Sequence, residues 1–204
     1  MTQLEAINKA FIMLGAAVQN SLSANVHAMR VAMRAFESSK RSVISEFPWN
    51  FALRILQLTP GGFVPPSWLY SYSYPVNALV LWDVYREQGQ GTVHWEVYDR
   101  DIEKLKYETN GVVIYTNYTP ACCEYAMDLS IEEFPVMLAD AVVYRLAGDM
   151  AMALTGSENM SRSMLQKYMA AIRAAKADSL NHRNDRRVQL GLGAGQQEQG
   201  GERE

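Results

Sequence analysis

The stretch Glu46-Phe-Pro-Trp-Asn-Phe-Ala-Leu53 separates a helical part of the sequence from a strand-rich part. Before it, apolar residues recur three and four positions apart, which is the spacing of one helix face. Further along, apolar and polar residues alternate, which is typical of strands. Pro48 disfavours helical geometry at Phe47, so the preceding helix is predicted to end there or close by. We expect Pro48, Trp49 and Phe51 to form a structural hinge, with the aromatic rings packed back onto the helices.

Two helices are predicted on the N-terminal side of this stretch. Thr2 and Glu5 have the spacing of a capping box, and the helix that they open should end between Gly15 and Val18. The polar run 19–23 supplies candidate N-caps for a second, longer helix. The apolar stripe of that helix is Val26, Met29, Met33, Phe36, Val43, Ile44 and Phe47, and its other side carries Arg30, Arg34, Lys40 and Arg41.

The middle of the chain is predicted to form several antiparallel strands between Trp68 and Tyr118. Aromatic residues alternate with Leu69, Ser71 and Ser73 from Trp68 to Tyr74, and apolar residues alternate with polar ones from Val93 to Val97. Gly89-Gln-Gly91 indicates a turn, and Asn110-Gly111 indicates a tight hairpin before the strand that starts at Val112.

Helical spacing returns after Ser130, which forms a second capping-box pattern with Glu133. This third helix should close at Gly156. Ser157 or Ser161 can cap a fourth helix, predicted to end near Leu180. From His182 onward the chain is polar and should be extended unless a partner orders it.

Together these elements predict an α+β fold. We expect an antiparallel bundle of about four α-helices, with a small antiparallel β domain inserted between helices two and three and an extended C-terminal tail. The predicted boundaries are 1–58 and 126–181 for the helical bundle, 59–125 for the β domain and 182–204 for the tail. With 204 residues, 49% of them hydrophobic, the chain can bury a substantial core.

The side chains that carry chemistry do not form a recognisable catalytic or metal-binding pattern. The three histidines lack ligand spacing, and no nucleotide-binding or serine-hydrolase motif occurs. Adjacent Cys122 and Cys123 do not close an ordinary disulfide, which favours packing roles in a reducing compartment. We therefore expect no enzymatic activity, cofactor or metal. A net charge of −3, no apolar run of about 20 residues and no leader-like N-terminus predict a soluble, cytoplasmic protein when made.

An ordered series of short motifs covers most of residues 1–180. They are Ala32-Met-Arg34, Phe47 to Ala52, Leu56-Gln-Leu58, Tyr74-Pro75 to Val80, Trp95-x-Val97, Val113-x-Tyr115, Phe134 leading through Ala139 to Gly156, Gln166 with Tyr168, and Ala174-Ala175-x-x-Asp178. This series resembles the tail tubular protein A family, the head-to-tail adaptors of short-tailed bacteriophages.

The resemblance implies a virion structural protein. It would form a homo-oligomeric ring, expected to be dodecameric, between the portal protein and the tail nozzle protein, lining the channel through which DNA is ejected. Double-stranded DNA would pass without sequence-specific contact, and no membrane would be involved. The protein would occupy the head-tail junction of the virion, and the host cytoplasm during assembly. We assign Arg183, Arg186 and Arg187 as candidate portal contacts and Arg30 and Arg34 as candidate ring contacts.

A second interpretation stays open from the residues. The arginines of helices two and four also suit a small DNA-binding or packaging component of a phage, such as a terminase-type subunit. Steeply salt-dependent DNA binding would distinguish that class from a ring adaptor.

Overall fold

The computed structural model describes residues 1–86, 103–104 and 107–189, and for 103–104 and 181–189 it describes the backbone alone. Within this part of the chain the fold is mixed α+β, with four α-helices and two small antiparallel sheets. The predicted turn at Gly89-Gln-Gly91 and the strand from Val93 to Val97 lie outside the described residues. The elements are α1 (Gln3–Met13), α2 (His27–Ile44), β1 (Leu53–Gln57), β2 (Tyr70–Ser73), β3 (Ala78–Arg86), β4 (Glu103–Lys104), β5 (Tyr107–Thr109), β6 (Val113–Thr116), β7 (Cys122–Met127), a 3₁₀ helix (Ile131–Glu133), α3 (Val136–Thr155) and α4 (Glu158–Gln189).

Helix α1 has the capping box that the sequence predicts. The Thr2 hydroxyl accepts from the Glu5 backbone N–H at 3.2 Å, and the Glu5 carboxylate accepts from the Thr2 backbone N–H at 2.7 Å. These hydrogen bonds favour the charged carboxylate and lower the pKa of Glu5. The helix ends at Met13, slightly before the predicted range from Gly15 to Val18, and Gly15 follows in the left-handed region at φ 70°.

Helix α2 starts differently from the prediction. Its N-cap is Val26, which offers no side-chain hydrogen bond, and the polar run 19–23 does not cap it. The polar groups of that run are used in the connection between the two helices. The Gln19 backbone N–H donates to Asn8 Oδ1 at 2.9 Å, and the hydroxyls of Ser21 and Ser23 bond each other at 2.8 Å.

The capping box of Ser130 and Glu133 is present, but it opens the 3₁₀ helix rather than α3. Helix α3 starts only at Val136, because Pro135 has no N–H to donate and takes the N-cap position with extended geometry. The helix closes at Gly156, which is left-handed at φ 65°, as predicted.

Helix α4 is longer than predicted. The sequence prediction ended it near Leu180 and made residue 182 the start of an extended tail, yet the helix continues to Gln189. The prediction was wrong because it followed the apolar stripe, which stops before the helix does. No glycine or proline occurs between Glu158 and Gln189, so nothing in the local sequence breaks the backbone pattern.

The strands form two antiparallel sheets with orders β1-β7-β3-β4 and β2-β6-β5. The hairpin predicted at Asn110-Gly111 connects β5 and β6. Its turn is held by the Asn110 side chain, whose oxygen accepts from the N–H groups of Val112 and Val113, and Gly111 has a φ of 82°. β1 pairs with β7 from Leu53 to Gln57, so the four-stranded sheet extends across the predicted boundary at residue 58.

Two hydrophobic clusters lie within the described residues. The larger one combines apolar residues of all four helices with Trp49, Ala52, Ala126 and Leu129. The smaller one lies between the strands and contains Leu58, Tyr72, Val84, Ile114, Ala121 and Cys123. Helix α4 approaches α3 closely at Gly148, where a methyl group would lie 3.0 Å from Cδ2 of Leu165. The Ser161 hydroxyl also donates to the Gly148 carbonyl at 2.9 Å.

Candidate functional site

Trp49 connects the end of α2 to the start of the strands. Its side chain is 1% exposed and its indole Nε1–H donates to the Val43 carbonyl at 2.8 Å. That carbonyl belongs to the last turn of α2, where helix carbonyls lack partners within the helix. The Phe47 ring packs against the indole with a centroid distance of 5.0 Å. The same carbonyl accepts a longer bond from the Glu46 N–H at 3.3 Å. Trp49 therefore adds the shorter hydrogen bond at the helix end and fills the core beside it.

Pro48 does not itself terminate α2. The helix ends at Ile44, and the Ser45 N–H closes its last turn by donating to the Arg41 carbonyl at 2.9 Å. The predicted end near Phe47 was therefore slightly late. The backbone instead turns through residues 45–52, where the Ala52 and Leu53 N–H groups donate to the Trp49 carbonyl at 3.0 and 2.9 Å.

Phe51 lies where the chain leaves the helices and where it returns to them. Its ring packs against Phe134 at a centroid distance of 5.1 Å, just ahead of α3. Beside it, the Met127 N–H donates to the Ala52 carbonyl at 2.9 Å. The outgoing and returning segments are thus joined through both side chains and backbone. We call residues 47–52 with 127–134 the junction.

A buried lysine joins the junction to α2. Lys40 is 7% exposed, and its Nζ lies 2.9 Å from a Glu37 oxygen and 3.2 Å from Asp128 Oδ1. The contact with Asp128 is one of charge without hydrogen-bond geometry. Arg41 holds the other oxygen of Asp128 at 2.9 Å. The sequence prediction placed Lys40 on the charged side of α2 and missed this role, because Asp128 is distant in sequence.

The two predicted ring-contact residues lie on the exposed surface of α2. Arg30 donates to the Asn25 side chain at 3.0 Å, at the N-terminal end of the helix. Arg34 lies one turn further along and makes no ion pair with the described side chains. Exposed Met33 is on the same helix, and exposed Val26 is its N-cap. This end of α2 therefore presents positive charge together with apolar area.

The three predicted portal-contact residues are in the last turns of α4. The backbone places Arg183, Arg186 and Arg187 within the helix and not in an extended tail. Helix α3 has 20 residues and α4 has 32, so α4 is about 18 Å longer at the helical rise per residue. Positive charge at a helix C-terminus interacts favourably with the helix dipole.

Two exposed turns of the β region were not singled out from the sequence. Phe63 is 78% exposed and Val112 is 71% exposed. The turns that carry them approach each other, because a methyl group added to Gly62 would lie 3.8 Å from the Val113 side chain. Both turns are tied to the sheet: the Ser71 hydroxyl donates to the carbonyls of Gly61 and Gly62, and Asn110 holds the hairpin turn. We call Phe63 and Val112 the apolar turn pair; the signal in the sequence was Gly61-Gly-Phe-Val64.

The two cysteines lie in β7 and both are buried. Burial raises the pKa of the Cys123 thiol to about 12, so the nucleophilic thiolate is scarce at neutral pH. Among the described residues, no group of His, Cys, Asp and Glu is arranged to hold a metal ion. In the same part of the chain, no helix is long and apolar enough to cross a bilayer.

Comparison with known proteins adds no family. No protein-family model matches the chain, and no match was found among curated proteins.

Proposed function

We propose that this chain is a virion structural protein, a head-to-tail adaptor subunit that forms a ring between the portal and the tail nozzle. Its resemblance to the tail tubular protein A family supports this proposal, and so does the order of its elements. Two helices, a strand region and two further helices follow one another along the chain, which is the layout that the resemblance implies.

The proposed architecture is a four-helix bundle with an inserted β domain. Two observations favour it. All four helices contribute to one hydrophobic cluster, and a second cluster lies among the strands. The chain also leaves and re-enters the helical part at one place, where Phe51 meets Phe134. A subunit of this kind presents different surfaces at its two parts, as a ring between two unlike partners requires.

The observation that carries the proposal is the junction. The most distinctive motif of the resemblance, Phe47 to Ala52, lies here, and its Trp49 is among the most deeply buried side chains in the described residues. The motif thus has a structural task that fits a two-part subunit. Its aromatic side chains hold the end of α2, the start of β1 and the approach to α3 in one packed unit.

Each surface is assigned to one partner in this proposal. The bundle carries ring contacts, with Arg30 and Arg34 among them. The end of α4, with Arg183, Arg186 and Arg187, binds the portal. The β region faces the nozzle, and the apolar turn pair offers it exposed area on turns that are already fixed. Cross-linking of assembled particles that placed the strands against the portal would reverse the last two assignments.

The direct test is the mass of the full-length protein, alone and mixed with the portal protein of the same virus. Native mass spectrometry should give a ring, expected to be dodecameric, or its assembly on the portal. A protein that remained a monomer in both conditions would overturn the proposal.

A DNA-binding or packaging role, as in a terminase-type subunit, is the second candidate. The helical presentation of the α4 arginines favours it, because a basic helix end suits contact with phosphates. Binding of duplex DNA by the isolated protein, with an affinity that falls steeply as salt rises, would support this role in place of the ring adaptor.

A further inference from the structure

Strand β1 forms one end of the four-stranded sheet, and its hydrogen bonds to β7 define which backbone groups point away from the sheet. The Leu58 N–H donates to the Ala121 carbonyl at 2.8 Å, and the Met127 N–H donates to the Ala52 carbonyl at 2.9 Å. In an antiparallel ladder the direction alternates from one residue to the next. The N–H and C=O groups of Ile55 and Gln57 therefore point outward.

The outward groups of Leu53 already have partners. Its N–H donates to the Trp49 carbonyl at 2.9 Å, and its carbonyl accepts from Arg54 Nη1 at 2.8 Å. Within the described residues, Ile55 and Gln57 have no equivalent backbone partner on the outer side. Their four outward groups form a short, regular row of donors and acceptors on the open edge of β1.

This edge lacks the features that usually prevent strands from pairing with other chains. Exposed edge strands commonly carry lysines, prolines or inward-pointing charges. The sequence Ile55-Leu-Gln-Leu58 has neither a charge nor a proline, and Leu56 is 43% exposed. The guanidinium of Arg54 is turned back onto the carbonyls of Phe51 and Leu53 and leaves the rest of the edge open.

We propose that the β1 edge pairs with a strand of a second copy of this chain. This inference rests on the proposed ring. Among the described strands the opposite end of the same sheet is β4, so pairing of one end with the other joins two unlike surfaces. Such contacts form a ring when the rotation between neighbouring copies closes. The charges permit this pairing, because Arg54 has no ion pair with the described side chains and β4, Glu103–Lys104, consists of one acid and one base. Strand addition supplies affinity through main-chain hydrogen bonds.

The test removes one outward donor and leaves the pairing with β7 intact. Gln57→Pro eliminates an N–H that points away from β7, and proline is tolerated at such positions of edge strands. Gln57→Thr is the matched control, because it keeps the N–H and favours strand geometry. Both variants should keep the thermal stability of the wild type as monomers. Gln57→Pro should weaken ring assembly by about tenfold or more, and Gln57→Thr should assemble normally.

Hydrogen exchange on the unmodified full-length protein gives a second readout. The amides of Ile55 and Gln57 should exchange at least about tenfold more slowly in the ring than in the monomer. The proposal is overturned if rings form with unchanged exchange at both amides and Gln57→Pro assembles normally. It is also overturned if these amides become protected only after portal or nozzle protein is added, because the occupant is then that protein. A wild-type chain that never forms a ring instead contradicts the proposed function itself.

Discussion

Replacing Trp49 with phenylalanine tests whether the indole N–H is what secures the end of α2. The change removes the 2.8 Å hydrogen bond to the Val43 carbonyl and leaves that oxygen with only the longer bond from the Glu46 N–H, at 3.3 Å. Loss of one hydrogen bond costs about 0.5–1.5 kcal/mol when the acceptor keeps another partner, and the smaller ring loses about 1 kcal/mol of buried apolar area. We expect Trp49→Phe to lower the free energy of unfolding by about 1.5–2.5 kcal/mol.

Two other tryptophans provide matched controls for the same substitution. Trp68 Nε1 donates to Glu108 at 3.2 Å in an exposed location, where water can replace the carboxylate. Trp82 Nε1 is buried without a hydrogen-bond partner in the described part of the chain, so Trp82→Phe removes no such bond. Both control variants should lose no more than about 1 kcal/mol.

Urea unfolding followed by far-UV circular dichroism measures the difference. The midpoint should fall for Trp49→Phe with an unchanged slope, which indicates a change in stability rather than in the amount of surface exposed. The melting temperature should fall by roughly 3–10 °C for a protein of this size. If Trp49→Phe were no less stable than Trp68→Phe and Trp82→Phe, the proposed role of the indole hydrogen bond would be wrong.

Four further predictions concern other parts of the molecule. Lys40→Met should lower the free energy of unfolding by about 1–3 kcal/mol, because Glu37 and Asp128 lose a buried cation. The control Arg34→Met, at an exposed position, should change the free energy of unfolding by less than about 0.5 kcal/mol. Urea unfolding of the two variants measures the difference. Cys123 should resist iodoacetamide at pH 8 in the folded protein and react in urea. The pKa of the Cys123 thiol rises from 9.0 to about 12 on folding, so the contribution of this thiol to stability is full below pH 9 and is lost as the pH rises to about 12. Urea unfolding at a series of pH values measures this loss. Phe63→Ser should leave the melting temperature unchanged and weaken nozzle binding in pull-down assays. A chain truncated after Leu180 should still fold but lose affinity for portal rings, and full affinity would contradict the assignment of the α4 end.

The features that were predicted correctly from the sequence are those that depend on neighbouring residues. The Thr2 and Glu5 capping box, the Asn110-Gly111 hairpin and the left-handed Gly156 each follow from contacts within a few positions. The mixed α+β class followed from the change of apolar period near Leu53. Local patterns also misled where they competed: Pro135 separates the Ser130 capping box from α3, and polar residues prolong α4 beyond its apolar stripe.

The features that were missed depend on residues far apart in the chain. Nothing near Lys40 indicates that Asp128 will neutralise it, because the two meet only when the strand region returns to α2. The same holds for the apolar turn pair, where Gly62 and Val113 become neighbours through the pairing of β2 with β6. The order of the strands, and therefore which strand is left at the edge, is likewise a property of the whole sheet.

Because α3 and α4 approach closely at Gly148, a small tilt of α4 at this point displaces the far end of the helix by a larger distance. Leu165 rests against the glycine, and the end of the helix at Gln189 is 24 residues further on, or about 36 Å at the helical rise. A side chain at position 148 that tilted α4 by about 5° would displace its tip by about 3 Å, roughly the length of a hydrogen bond. The glycine in the middle of α3 would thus determine the position of a surface that lies several helical turns away, at the end of α4.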